Sequence, residues 1–134
     1  MLEPESALIY TMVLVSAADG NMSDSEISEI GEIVRSLPVF KEYDQSRLTG
    51  EAADCAEVLA GVGGLENVLD RIVSGLPGHL AETAYVVACD VAAADGTVKQ
   101  EEARLLEMLR HYLDVDRLAA AAIERAAKAR HRSV

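Results

Sequence analysis

The chain has 134 residues, 23 acidic and 12 basic, for a formal net charge of -11, and half of them are apolar. That apolar share can fill a sizeable core and excludes a disordered acidic tail, and the length is that of one ordinary domain. So negative a surface repels phosphate backbones, and with aromatics at 4%, no Trp and one Phe there is little to stack on bases, which excludes nucleic acid as a partner.

Residues 7–18 form a mostly apolar run, too short to span a bilayer, which takes about 20 such residues. Glu3 and Glu5 precede it where a secretory signal would carry positive charge, so the run reads as a buried helix opening at Pro4. Ser23, Asp24, Ser25 and Glu26 have the form of a capping box. The helix they open carries Ile27, Ile30, Ile33, Val34 and Leu37 on one stripe, and Pro38 ends it. Spacing and breakers predict further helices over 44–60, 65–74, 78–94, 100–112 and 115–129. Strand signals are nearly absent. The fold class is therefore all-α, a single compact bundle of about seven helices over residues 1–134.

Cys55 and Cys89 have no metal-type spacing, are too few for a disulfide framework, and lie in Ala-rich surroundings as small core residues. His79, His111 and His131 are scattered, so no imidazole-based zinc site suggests itself. A reducing cytoplasm is the default compartment. Arg125, Lys128, Arg130, His131 and Arg132 make the last turn and tail cationic, which suits either the helix dipole or a weak contact with anionic lipid or an acidic partner.

An internal repeat is the most informative feature. Ser16-Ala17-Ala18-Asp19-Gly20-Asn21-Met22, followed by Glu26, recurs as Ala92-Ala93-Ala94-Asp95-Gly96-Thr97-Val98, followed by Glu102. Apolar helices precede both copies, and Ile30 and Ile33 correspond to Leu106 and Leu109. Two helix–turn–helix halves, about 5–40 and 79–113, imply a pseudo-two-fold arrangement joined by the central helices.

In each copy the Gly can take positive φ, the Met22 or Val98 side chain can plug the corner into the core, and Glu26 or Glu102 falls in the first turn of the next helix. Capping and turning account for these residues without further function. The spacing also resembles the second half of an EF-hand loop. With Gly20 at the sixth loop position, however, the first and third positions are Val15 and Ala17, and in the second copy Val91 and Ala93, none of which ligates. A standard calcium loop is ruled out. What remains is a convergence of Asp19, Glu26, Asp95 and Glu102 on one hard cation, with oxygens at about 2.3–2.6 Å. Asp90 interrupts the apolar run from Tyr85 to Cys89, so it is exposed, hydrogen-bonded or metal-facing. Carboxylate oxygens without thiolates or imidazoles favour Ca²⁺ over zinc and copper.

The two Ala-Ala-Asp-Gly corners with their following Glu, and the helical segments around them, resemble the TerB family of tellurite-resistance proteins and TerB-like domains. Residues 90–96, Asp-Val-Ala-Ala-Ala-Asp-Gly, are especially similar to that family's second corner. The resemblance covers residues 5 to about 125. It implies a seven-helix, pseudo-symmetric bacterial cytoplasmic protein linked to tellurite resistance and chemical stress, acting in membrane-associated complexes and binding metal through its acidic corners. Asp19, Glu26, Asp95, Glu102 and Asp90 are the positions that carry over. The chain departs from the duplication at Lys99, which stands where the first corner has Ser23 and degrades the second capping box.

The leading functional expectation is a non-enzymatic stress protein that binds a divalent cation, Ca²⁺ foremost, with other stress proteins as partners at the inner face of the membrane. The alternative is a metal-independent helical interaction module in a membrane-associated or chaperone-linked complex. Catalysis ranks third: there is no Gly-rich phosphate loop, nucleophile pattern or metalloprotease motif.

Overall fold

Two helices with almost no polar face, α1 (Pro4–Ser16) and α5 (Ala81–Ala92), lie against each other at the centre of the bundle. The computed structural model describes residues 1–18 and 20–134; Asp19 lies outside the described residues. Every residue of α1 from Ser6 to Ser16 is buried, as a helix apolar all round requires. Its hydroxyls stay satisfied there, Thr11 donating to the Ala7 carbonyl at 2.8 Å and Ser16 to that of Val13 at 3.1 Å. Around this pair stand α2 (Asp24–Ser36), α3 (Leu48–Ala60), α4 (Gly64–Gly75), α6 (Gln100–Tyr112) and α7 (Arg117–Arg130). Among the described residues there are seven α-helices and no strand, and no helix is long and apolar enough to cross a membrane.

The central helices anchor the halves. α1 packs on α2, α3, α4 and α6, while α5 packs on α2, α6 and α7. Leu8, Leu69, Ile72 and Leu109 are fully buried, each contributing roughly 1.5–3 kcal/mol by leaving water. Gly64 permits the tight α3–α4 junction: a Cβ there would lie 2.0 Å from the Leu59 carbonyl oxygen. The connector from α2 to α3 is fastened by Glu51, which accepts from the Ser6 and Tyr43 hydroxyls and pairs with Arg47 at 3.1 Å.

Three details correct the sequence reading. The helices predicted from 44 and 78 begin as 3-10 turns, Gln45–Arg47 and Gly78–Leu80, and become α-helical only at Leu48 and Ala81. Asp44 holds the first turn through the Ser46 amide at 3.0 Å, and Pro77 accepts from the Leu80 amide at 2.9 Å to close the second. Ile27 is 51% exposed, because the inward position in the first turn of α2 belongs to Glu26. Val98 is 43% exposed and does not plug its corner, whereas Met22 packs partly against the core.

Candidate functional site

The duplicated sequence folds into a duplicated backbone. At the first corner the amides of Ala17, Ala18 and Gly20 donate to the carbonyls of Val13, Val15 and Ala17 at 3.0, 3.2 and 3.0 Å. At the second, the amides of Ala93, Ala94 and Gly96 donate to Cys89, Val91 and Ala93 at 3.0, 3.2 and 2.9 Å. Gly20 and Gly96 both take left-handed φ, 78° and 93°, a conformation that costs other residues about 1–2 kcal/mol.

Each corner delivers a glutamate to the interior. Glu26 and Glu102 are both 0% exposed. One oxygen of each reaches back to its own helix start: Oε1 of Glu26 accepts from the Ser23 amide at 3.4 Å, and Oε1 of Glu102 from the Lys99 amide at 3.3 Å. The other oxygen, Oε2, is buried in both and meets no donor from another described residue. These two carboxyls interact with each other across the repeat. Burial first, and then the hydrogen bond and charge of Glu26, push the Glu102 carboxyl up to about 8, while the Lys99 amide and ammonium pull the other way. Two acids held together out of water cannot both ionise, so at neutral pH the pair keeps a proton. A cation supplied in that proton's place would meet two oxygens that nothing else satisfies.

The remaining corner acids are placed differently. Asp95 is exposed and serves its own turn, accepting from the Thr97 amide at 3.3 Å, with the Lys99 ammonium 3.9 Å away. Asp19 falls outside the described residues. Asp90 is buried, and of its three anticipated environments it takes the hydrogen-bonded one: Arg130 donates to its Oδ1 through Nη2 at 2.5 Å and Nε at 3.1 Å. No described hydrogen bond or ion pair joins Asp90 to Glu26 or Glu102.

Around Asp90 lies a group that the sequence reading did not assemble. His131 Nε2 stands 3.5 Å from Asp90 Oδ1 and 3.7 Å from Glu29 Oε2. The scattered histidines thus conceal one imidazole within reach of two carboxylates. A costly carboxylate inside an apolar run and a cationic helix end were both visible in the sequence, but only the packing of α7 on α5 joins them.

The sulfur atoms offer no redox centre. Cys55 and Cys89 are free and buried, and burial raises both thiols to about 12. Between α5, α6 and α7 a cavity of about 250 Å³ is lined by Tyr85, Cys89, Leu106 and Lys128 among others. Within it the Tyr85 hydroxyl donates to Glu124 at 2.5 Å, and Glu107 also reaches the wall.

In comparisons with known proteins, residues 5–126 match the family described as tellurite resistance protein TerB. No curated protein and no solved structure matches the chain.

Proposed function

The chain belongs to the TerB family, and from that premise we propose that it is a non-catalytic stress-response domain whose buried corner glutamates hold a divalent cation. The observation that carries this reading is the meeting of Glu26 and Glu102, whose buried inner oxygens have only each other and a shared proton. Buried polar atoms with no partner outside their own pair are rare, and an ion is one of the few things that can take the place of the shared proton. An all-oxygen set favours a hard ion, Ca²⁺ before Mg²⁺ or Mn²⁺.

In this reading the two glutamates are the inner ligands and part with their shared proton when the ion enters. Asp95, on the solvent side of its corner, gathers cations by its charge, and Asp19 takes the same part by its equivalence to Asp95. No step involves tellurite directly, since a chain of net charge -11 repels oxyanions.

Calorimetric titration with Ca²⁺ at pH 7, in two buffers of different ionisation enthalpy, tests the reading. Saturable binding with release of about one proton per ion is expected. The Glu26→Gln/Glu102→Gln double variant should lose it while keeping its helical circular dichroism. No saturable heat in the parent protein with Ca²⁺, Mg²⁺ or Mn²⁺ overturns the cation site and leaves the metal-independent interaction module. Pull-downs with and without chelator would then recover the same partners.

A further inference from the structure

The second acidic group, at the end of α7, has a different chemistry from the corners. Glu29 comes from α2, Asp90 from α5 and His131 from the residue that closes α7, and ligand atoms of the three lie within 4.8 Å of one another. We propose that Glu29, Asp90 and His131 form a zinc site, distinct from the glutamate pair, that fastens the end of α7 to α2 and α5.

The first argument is distance. An imidazole hydrogen-bonded to a carboxylate approaches one oxygen to about 2.7–3.0 Å. His131 Nε2 does not do this. It sits 3.5 Å from one oxygen and 3.7 Å from another, and it is buried with no hydrogen-bond partner. A tetrahedral centre with bonds of about 2.0–2.1 Å holds its ligand atoms about 3.3–3.4 Å apart. Movements of a few tenths of an ångström would bring the imidazole to that distance from each carboxylate, and the two carboxylate oxygens, within 4.8 Å of each other, would close on the same centre.

Charge and donor type give the second argument. Two carboxylates converge here, and Arg130 hydrogen-bonds only one of them, donating twice to Asp90. Glu29 faces Asp90 across the imidazole, its Oε2 3.7 Å from His131 Nε2. A divalent ion would draw both carboxylates and the imidazole onto one centre. The imidazole selects zinc over calcium or magnesium, and three protein ligands leave a fourth position for water. Arg130 then serves as a positioning residue, since ligating carboxylates are commonly held by a hydrogen bond from behind. The side chains of Glu29, Asp90 and His131 are 24, 13 and 16% exposed, so an ion can enter from solvent. Arg130 and His131 lie beyond residues 5–126, the stretch that matches the family.

Titration of the untagged, metal-stripped protein with Co²⁺ as a spectroscopic substitute, followed by competition with Zn²⁺, is the test. The expected result is one ion per chain with the intense visible bands of tetrahedral Co²⁺, displaced by Zn²⁺. His131→Ala and Glu29→Gln should each weaken binding at least about tenfold, the loss typical when a metal's ligand sphere is damaged. Zn²⁺ should also raise the melting temperature of the parent chain and leave that of His131→Ala unmoved. Should His131→Ala fold poorly by circular dichroism, His131→Gln replaces it. Glu26→Gln/Glu102→Gln should bind Co²⁺ as the parent does, so failure of the corner site and failure of this one are separately visible. An octahedral spectrum, or binding that survives loss of His131 and disappears in His111→Ala, overturns the proposal.

Discussion

The first corner closes α1 onto α2 with a serine at the helix start, and the second closes α5 onto α6 with a lysine. Ser23 accepts from the Glu26 amide at 3.1 Å, completing a reciprocal capping box. Lys99 has no acceptor atom in its side chain, so only the return bond from its own amide to Glu102 survives. Yet the three backbone bonds of the turn, the left-handed glycine and the inward glutamate are the same in both. The main chain and the buried acid define the corner, and the capping side chain is adjustable. Its replacement by Lys99 puts a positive charge beside the second glutamate at the position where the first corner has a neutral serine.

The largest effect that would sharpen this contrast comes from Glu102→Gln. Folded Glu102 keeps its proton up to about 8, whereas the ordinary value is 4.5. Unfolding therefore releases a proton within that window, and stability falls as pH rises from about 4.5 to about 8. Without added metal, melting temperatures of the parent should decline across this range. Glu102→Gln should flatten the decline and be more stable than the parent at pH 8 by a few kcal/mol, on the order set by the raised pKa. Glu26→Gln should flatten it only in part, because burial alone still raises Glu102. Equal slopes in parent and Glu102→Gln would dissolve the pair.

Next come the turns themselves. Gly20→Ala and Gly96→Ala should each cost about 1–2 kcal/mol in urea unfolding, through strain at positive φ and not through crowding, since a Cβ at either position meets nothing within 4 Å. Similar costs would support equivalent corners; a cost at one alone would break the equivalence. The smallest effects belong to the caps. Ser23→Ala should lose about 1 kcal/mol, while Lys99→Ser should gain up to about the same by restoring the missing bond. A neutral Lys99→Ser would show that its present contacts, including the Asp95 ion pair at 3.9 Å, already match a serine cap.

Much of this was legible in the residue order because it is local. The capping box at Ser23 and Glu26, the turn at each Asp-Gly pair and the spacing of Ile30, Ile33, Leu106 and Leu109 depend on residues a few positions apart. Gln100–Tyr112 is matched end to end. The 3-10 starts of α3 and α5 escaped because their residues suit either helix, and only the anchoring of Asp44 and Pro77 decides the winding. Ile27 was assigned inward by hydrophobicity, while tertiary structure turned the acid inward instead. Convergence of Glu26 with Glu102 follows from the repeat only once α1 and α5 are known to pack side by side. The meeting of Glu29, Asp90 and His131 has no repeat to announce it, since it depends on α7 folding back along α5.

The two buried sulfhydryl groups decide how the domain meets oxidants. Thiols whose ionisation is displaced to about 12 hold roughly one reactive thiolate in 10⁵ molecules at neutral pH. Soluble oxidants find almost nothing here to attack, so both cysteines stay reduced under conditions that consume accessible thiols.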